Sequence, residues 1–65
     1  MTIYRMYSLN EHGHIGYAEE IAAASDGEAI ARVRQNWPNA LKCEIWEGRR
    51  LVAILEAREM VAEQV

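Results

Sequence analysis

Two stretches in which apolar and polar residues alternate, each turning back on a glycine, flank one segment whose apolar residues recur at helical spacing. A period of two belongs to extended strands and a period near 3.6 to a helix. The chain therefore reads strand, strand, helix, strand, strand. The first stretch runs Ile3-Tyr4-Arg5-Met6-Tyr7-Ser8-Leu9, then Asn10-Glu11-His12-Gly13, then His14-Ile15-Gly16-Tyr17-Ala18-Glu19-Glu20-Ile21. With Glu11-His12-Gly13 as a three-residue loop and Gly13 left-handed, Asn10 faces His14. The expected pairs are then Leu9 with Ile15, Tyr7 with Tyr17, Arg5 with Glu19 and Ile3 with Ile21. The other face would carry Tyr4, Met6, Ser8, Gly16, Ala18 and Glu20.

The helix has the clearest boundary. Ser25 and Glu28 form a capping box, and Asp26 and Glu28 place negative charge in the first turn, where the helix dipole favours it. Ala29, Ile30, Val33 and Trp37 follow at helical spacing, Glu28 and Arg32 make a favourable pair four residues apart, and Pro38 ends the helix near Trp37. In the second stretch a Gly48-Arg49 loop aligns Trp46 with Leu51, Ile45 with Val52, Glu44 with Ala53 and Cys43 with Ile54. A Glu47-Gly48 loop would instead set Ile45 against Arg50 and spoil the alternation. The expected fold is α+β: a ββαββ domain over residues 1–56, a four-stranded antiparallel sheet with one helix packed on one face. Residues 57–65 have a helix-favouring composition without a preceding cap, and read as a short terminal helix or a tail.

Composition narrows the function classes. A 65-residue chain permits one domain and buries only about 60% of its unfolded surface. Ten of its apolar residues are alanines, so the larger side chains carry the packing. A single cysteine excludes an intramolecular disulfide and suits a reducing, cytoplasmic setting. Arg5 interrupts the amino-terminal apolar residues and no long apolar run follows, so neither a signal peptide nor a membrane span is expected. A net charge of −3 opposes non-specific binding to phosphate backbones.

Tyr4-Arg5-x-Tyr7-x-Leu9, Gly13-His14-Ile15, Ala18-Glu19-Glu20, Asp26-x-Glu28-Ala29 and Glu44-x-Trp46-x-Gly48-x-Arg50-Leu51-Val52 together resemble a group of short, uncharacterised bacterial proteins. The likeness spans roughly residues 3 to 55, and the chain departs from it at Trp37-Pro38 and after Leu55. It implies a small intracellular domain and supplies no catalytic residue.

A direct search for chemistry gives little. His12 and His14 form an H-x-H pair beside Glu11 and Asn10. Two imidazoles fall short of the three or four protein ligands a zinc site uses, so a solvated turn is the simpler reading and no metal is expected. Cys43 sits in a core alternation where burial raises its pKa, which reads as packing rather than catalysis. Asp26 is explained by the helix terminus. Glu19 and Glu20 point to opposite faces of a strand, and the glycines form no phosphate-cradling loop. Neither an enzyme nor a cofactor is expected.

What remains is surplus apolar surface: Ile3, Tyr7, Leu9, Ile15, Tyr17, Ile21, Trp46 and Leu51. A three-turn helix leaves some of these uncovered whichever face it meets, and the sequence leaves that choice and the strand order open. The expected role is a non-enzymatic protein-interaction or regulatory module, a homodimer or a binder of another protein, with Tyr7, Tyr17, Trp46 and Leu51 as the interaction face. The alternative is a small molecule or single-stranded nucleic acid held on an aromatic sheet face, with nucleic acid disfavoured by Glu19 and Glu44.

Overall fold

The computed structural model describes residues 1–56. Its elements are β1 (Thr2–Leu9), β2 (Ile15–Ala23), α1 (Asp26–Asn36), β3 (Lys42–Glu47) and β4 (Arg50–Glu56). They form one four-stranded antiparallel sheet of order β2-β1-β3-β4, with α1 on one face. The ββαββ order is as the periodicities require. The terminal segment expected over residues 57–65 lies outside the described residues. The strand order, which local pattern does not encode, places β1 and β3 centrally and makes β2 and β4 the edges.

Both turns form as their glycines dictate. Gly13 has φ of 80° and Gly48 φ of 59°, the left-handed region that side chains with a Cβ rarely adopt. In the first turn the Asn10 Oδ1 accepts from the backbone N–H of His12 at 2.9 Å and of His14 at 3.0 Å, closing the three-residue loop.

Past each turn, however, a β-bulge shifts the pairing by one residue. In the first hairpin Leu9 still faces Ile15, but Ser8 faces Tyr17, Tyr7 faces Ala18, Arg5 faces Glu20 and Tyr4 faces Ile21. The expected pairs of Tyr7 with Tyr17, Arg5 with Glu19 and Ile3 with Ile21 are corrected accordingly. The extra residue falls at Gly16, where a strand-interior glycine gives little side-chain resistance to a bulge. Its consequence is a change of face: Ile21 and Ala23 turn toward the helix and become buried, in place of Glu20 and Ala22. In the second hairpin Trp46 faces Leu51 as expected, then Val52 is taken up as the extra residue. Ile45 meets Ala53, Glu44 meets Ile54 and Cys43 meets Leu55, not Val52, Ala53 and Ile54. The shift lets both Val52 and Ala53 pack against the core and buries Leu55.

The helix begins where the capping box places it. Ser25 Oγ accepts from the Glu28 N–H at 3.2 Å, while the Glu28 carboxylate reaches back to the N–H of Ala24. That backbone contact, ahead of Arg32 at 3.5 Å, holds the Glu28 carboxyl below its ordinary pKa. At the other end the Trp37 N–H caps Val33 O at 2.9 Å, and Pro38 prevents continuation. Ala29 and Val33 face the sheet and are buried with Tyr4, Met6, Ile21, Ala23, Cys43, Ile45 and Leu55. The helix therefore covers the face bearing Tyr4, Met6, Cys43 and Ile45.

Candidate interaction face

The opposite face follows from the registers. Read across β2, β1, β3 and β4, one row is Glu20, Arg5, Trp46 and Leu51. The next is Ala18, Tyr7, Glu44 and Ile54. A third is Ile15, Leu9, Lys42 and Glu56. Ile3 and Ala22 lie beyond the first row. Because residues directly opposite in an antiparallel pair share a face, these side chains form one surface. None of α1 lies on it.

Ile3 is 56% exposed, Ile15 60%, Leu51 43% and Ile54 43%, whereas Leu9 is buried among its neighbours. Tyr7 and Trp46, both half-buried, help line a depression of about 550 Å³ with Ile3, Arg5, Ile15 and Glu44. Polar groups in this surface are held in fixed positions. The Trp46 indole Nε1 donates to Glu44 Oε1 at 3.1 Å, and Arg5 Nη2 pairs with Glu20 Oε2 at 2.7 Å. The Tyr7 hydroxyl, and after it the Glu20 carboxylate, keep the Arg5 guanidinium protonated beyond its ordinary range.

Of the four residues expected together, the structure unites Tyr7, Trp46 and Leu51 and removes Tyr17. The Gly16 bulge turns Tyr17 to the helix side, where its ring lies 6.3 Å from that of Trp37 and its hydroxyl donates to Glu19 Oε1 at 2.8 Å. That hydrogen bond raises the Tyr17 pKa. Ile21 leaves the open face for the core by the same shift. Ile54, expected opposite Cys43 of the core alternation, instead faces Glu44 and takes an open position. No local signal marks that exchange, because it depends on the bulge at Val52.

The other groups singled out for chemistry lie in the core or on an exposed turn. Cys43 is buried, which pushes its thiol pKa up, and the Ser8 hydroxyl opposite offsets this only in part. The His12 and His14 rings lie 6.4 Å apart on an exposed turn. Among the described residues no group of three His, Cys, Asp or Glu side chains is placed to hold a metal ion. No helix among them is long and apolar enough to cross a membrane.

One cluster went unread in the sequence. Asp26, at the first helical position, accepts both Arg50 Nη1 and Nη2 at 3.0 Å and the Tyr4 hydroxyl at 2.8 Å. Arg50 also pairs with Glu47 through Nε at 3.1 Å. The guanidinium first, then the phenol, lower the Asp26 pKa to about 2, and the same carboxylate raises those of Arg50 and Tyr4. The cluster clamps the helix start to the β3–β4 turn and to β1. All its polar groups answer one another, so it reads as a fastening and not as a reactive site.

Compared with family models, curated proteins and solved structures, the chain matches none.

Proposed function

We propose that the protein is a non-enzymatic interaction module that self-associates through the open sheet face, two copies stacking face to face about a two-fold axis. The observation that carries this reading is the set of exposed Ile3, Leu51 and Ile54 around half-buried Tyr7 and Trp46 on a face with no covering element among the described residues.

Two further considerations select a second copy as the occupant. The first is area. Four strands about 4.8 Å apart and about seven residues long at about 3.3 Å per residue present roughly 440 Å² of sheet plane. Two such faces bury on the order of 900 Å² before side-chain relief is counted, close to the roughly 1,000 Å² at which specific interfaces begin. This suits a modest, reversible dimer better than a large partner. The second is charge. The face carries Arg5 and Lys42 together with Glu20, Glu44 and Glu56 in an interleaved arrangement. A two-fold stack can therefore set each copy's cations against the other's carboxylates. A nucleic-acid strand would meet that same acidic excess, which argues against base stacking here.

Light scattering across a wide concentration range tests the reading. A mass approaching twice 7.4 kDa as concentration rises supports it. Trp46→Glu should return the mass to that of one chain while circular dichroism stays unchanged. A dimer indifferent to that substitution would place the interface elsewhere.

A further inference from the structure

The open face accounts for Tyr7 and Trp46 but leaves the second aromatic pair, on the helix side, without a role. Tyr17 and Trp37 meet with their rings 6.3 Å apart and tilted by 49°. Beside them, where edge strand β2 meets the end of α1, lies a cleft of about 390 Å³ completed by Ser8, Asn36, Pro38 and Asn39. Every side chain lining it is uncharged. Among the described residues, the Trp37 indole N–H and the side-chain amides of Asn36 and Asn39 have no protein partner. The cleft thus combines aromatic and prolyl walls with hydrogen-bonding groups that the described residues do not use.

We infer that this cleft binds an extended, proline-containing peptide with a basic residue beside the prolines. A polyproline II segment makes no internal hydrogen bonds, so its carbonyls need outside donors, and its rings pack on aromatic faces at little entropic cost. An indole N–H and two amides beside Tyr17, Trp37 and Pro38 meet both needs. Charge decides the flanking residue. The exposed Glu19 carboxylate is held beside the cleft by the Tyr17 hydroxyl, whereas the partial negative charge at the carboxyl end of α1 is offset by Arg34 in its last turn. Glu19 favours an arginine or lysine in the ligand. It also repels the phosphates of a nucleic-acid strand, whose bases would otherwise stack on the same rings.

This site lies across the sheet from the proposed self-interface, so a dimer carries two copies of it and either reading can fail alone. The test titrates the full-length ¹⁵N-labelled protein with a short peptide bearing two prolines at Pro-x-x-Pro spacing and an arginine at one end. The Trp37 indole N–H and the Asn36 and Asn39 amides should shift saturably while the Trp46 indole N–H stays in place. Glu19→Gln should weaken the arginine peptide by roughly threefold and leave an arginine-free version unchanged. Trp37 packs against the core, so the aromatic wall is probed instead by Tyr17→Ala on the exposed edge strand, which should weaken both peptides. An unmoved Trp37 resonance at millimolar peptide, equal binding when alanines replace the prolines, or tighter binding of an oligothymidylate would overturn the inference.

Discussion

On the helix side of the sheet Met6, Cys43 and Ile45 are fully buried beneath Ala29 and Val33, whereas on the other side Ile3, Leu51 and Ile54 keep between 43% and 56% of their surface exposed. Both faces carry large apolar side chains, but the open one interleaves them with Arg5, Lys42, Glu20, Glu44 and Glu56. What also separates them is the reach of one helix. An 11-residue helix is about 16 Å long and roughly 10 Å across, enough for well under half of a sheet face of this size. Small residues at Ala23 and Ala29 permit its close approach, and at its margin Tyr17 and Glu19 stay exposed even on the covered side. The open face has no such cover within the described residues, and the proposed second copy would supply one.

The sharpest way to break this contrast is to truncate one isoleucine on each face. Ile45→Ala removes a fully buried side chain and should cost about 3 kcal/mol. A chain this small has roughly 3–5 kcal/mol to lose, so urea denaturation should find it largely unfolded at modest denaturant. Ile54→Ala, at dilutions where the chain is monomeric, should cost less than about 1 kcal/mol. Equal losses at the two positions would erase the distinction between the faces.

The reverse experiment introduces charge. Leu51→Lys should weaken self-association by at least about tenfold through a desolvated charge at the interface, with little change in monomer stability, as sedimentation velocity would show. A large stability loss without an effect on association would make Leu51 a core residue.

A third prediction concerns the fastening of the helix. Asp26 titrates at about 2 when folded against an ordinary 3.8, so the unfolded chain takes up this proton first as pH falls. Stability from its pairing with Arg50 and Tyr4 is fully present above pH 3.8 and is lost as pH drops toward 2. Asp26→Asn should flatten that part of the urea midpoint against pH, and an unaltered profile would deny the carboxylate this role. The smallest effect is chemical. Cys43 should react with a disulfide reagent far more slowly in the folded protein than in urea, because its thiol is buried and its pKa raised.

The sequence was legible wherever a residue acts locally. Ser25 and Glu28 marked the helix start, Gly13 and Gly48 the turns, and the pairs nearest each turn, Leu9 with Ile15 and Trp46 with Leu51, were correct. It became illegible one or two residues farther on, because a bulge depends on what the far strand gains. Gly16 yields so that Ile21 and Ala23 can reach the helix, and β4 takes in Val52 so that Leu55 can be buried. A single-residue shift exchanges the faces of every later side chain, which is why Tyr17 and Ile54 changed sides while Tyr7, Trp46 and Leu51 did not. The Asp26–Arg50–Tyr4 cluster was hidden for a related reason: it joins three elements whose relative placement no local pattern states.

The most direct test of the open face as a self-interface is an isotope-filtered nuclear Overhauser experiment on a mixture of labelled and unlabelled chains. Contacts between copies should arise from Trp46, Leu51 and Ile54. Intermolecular contacts confined to Tyr17 and Trp37, or none at concentrations where the mass is that of a dimer, would contradict it.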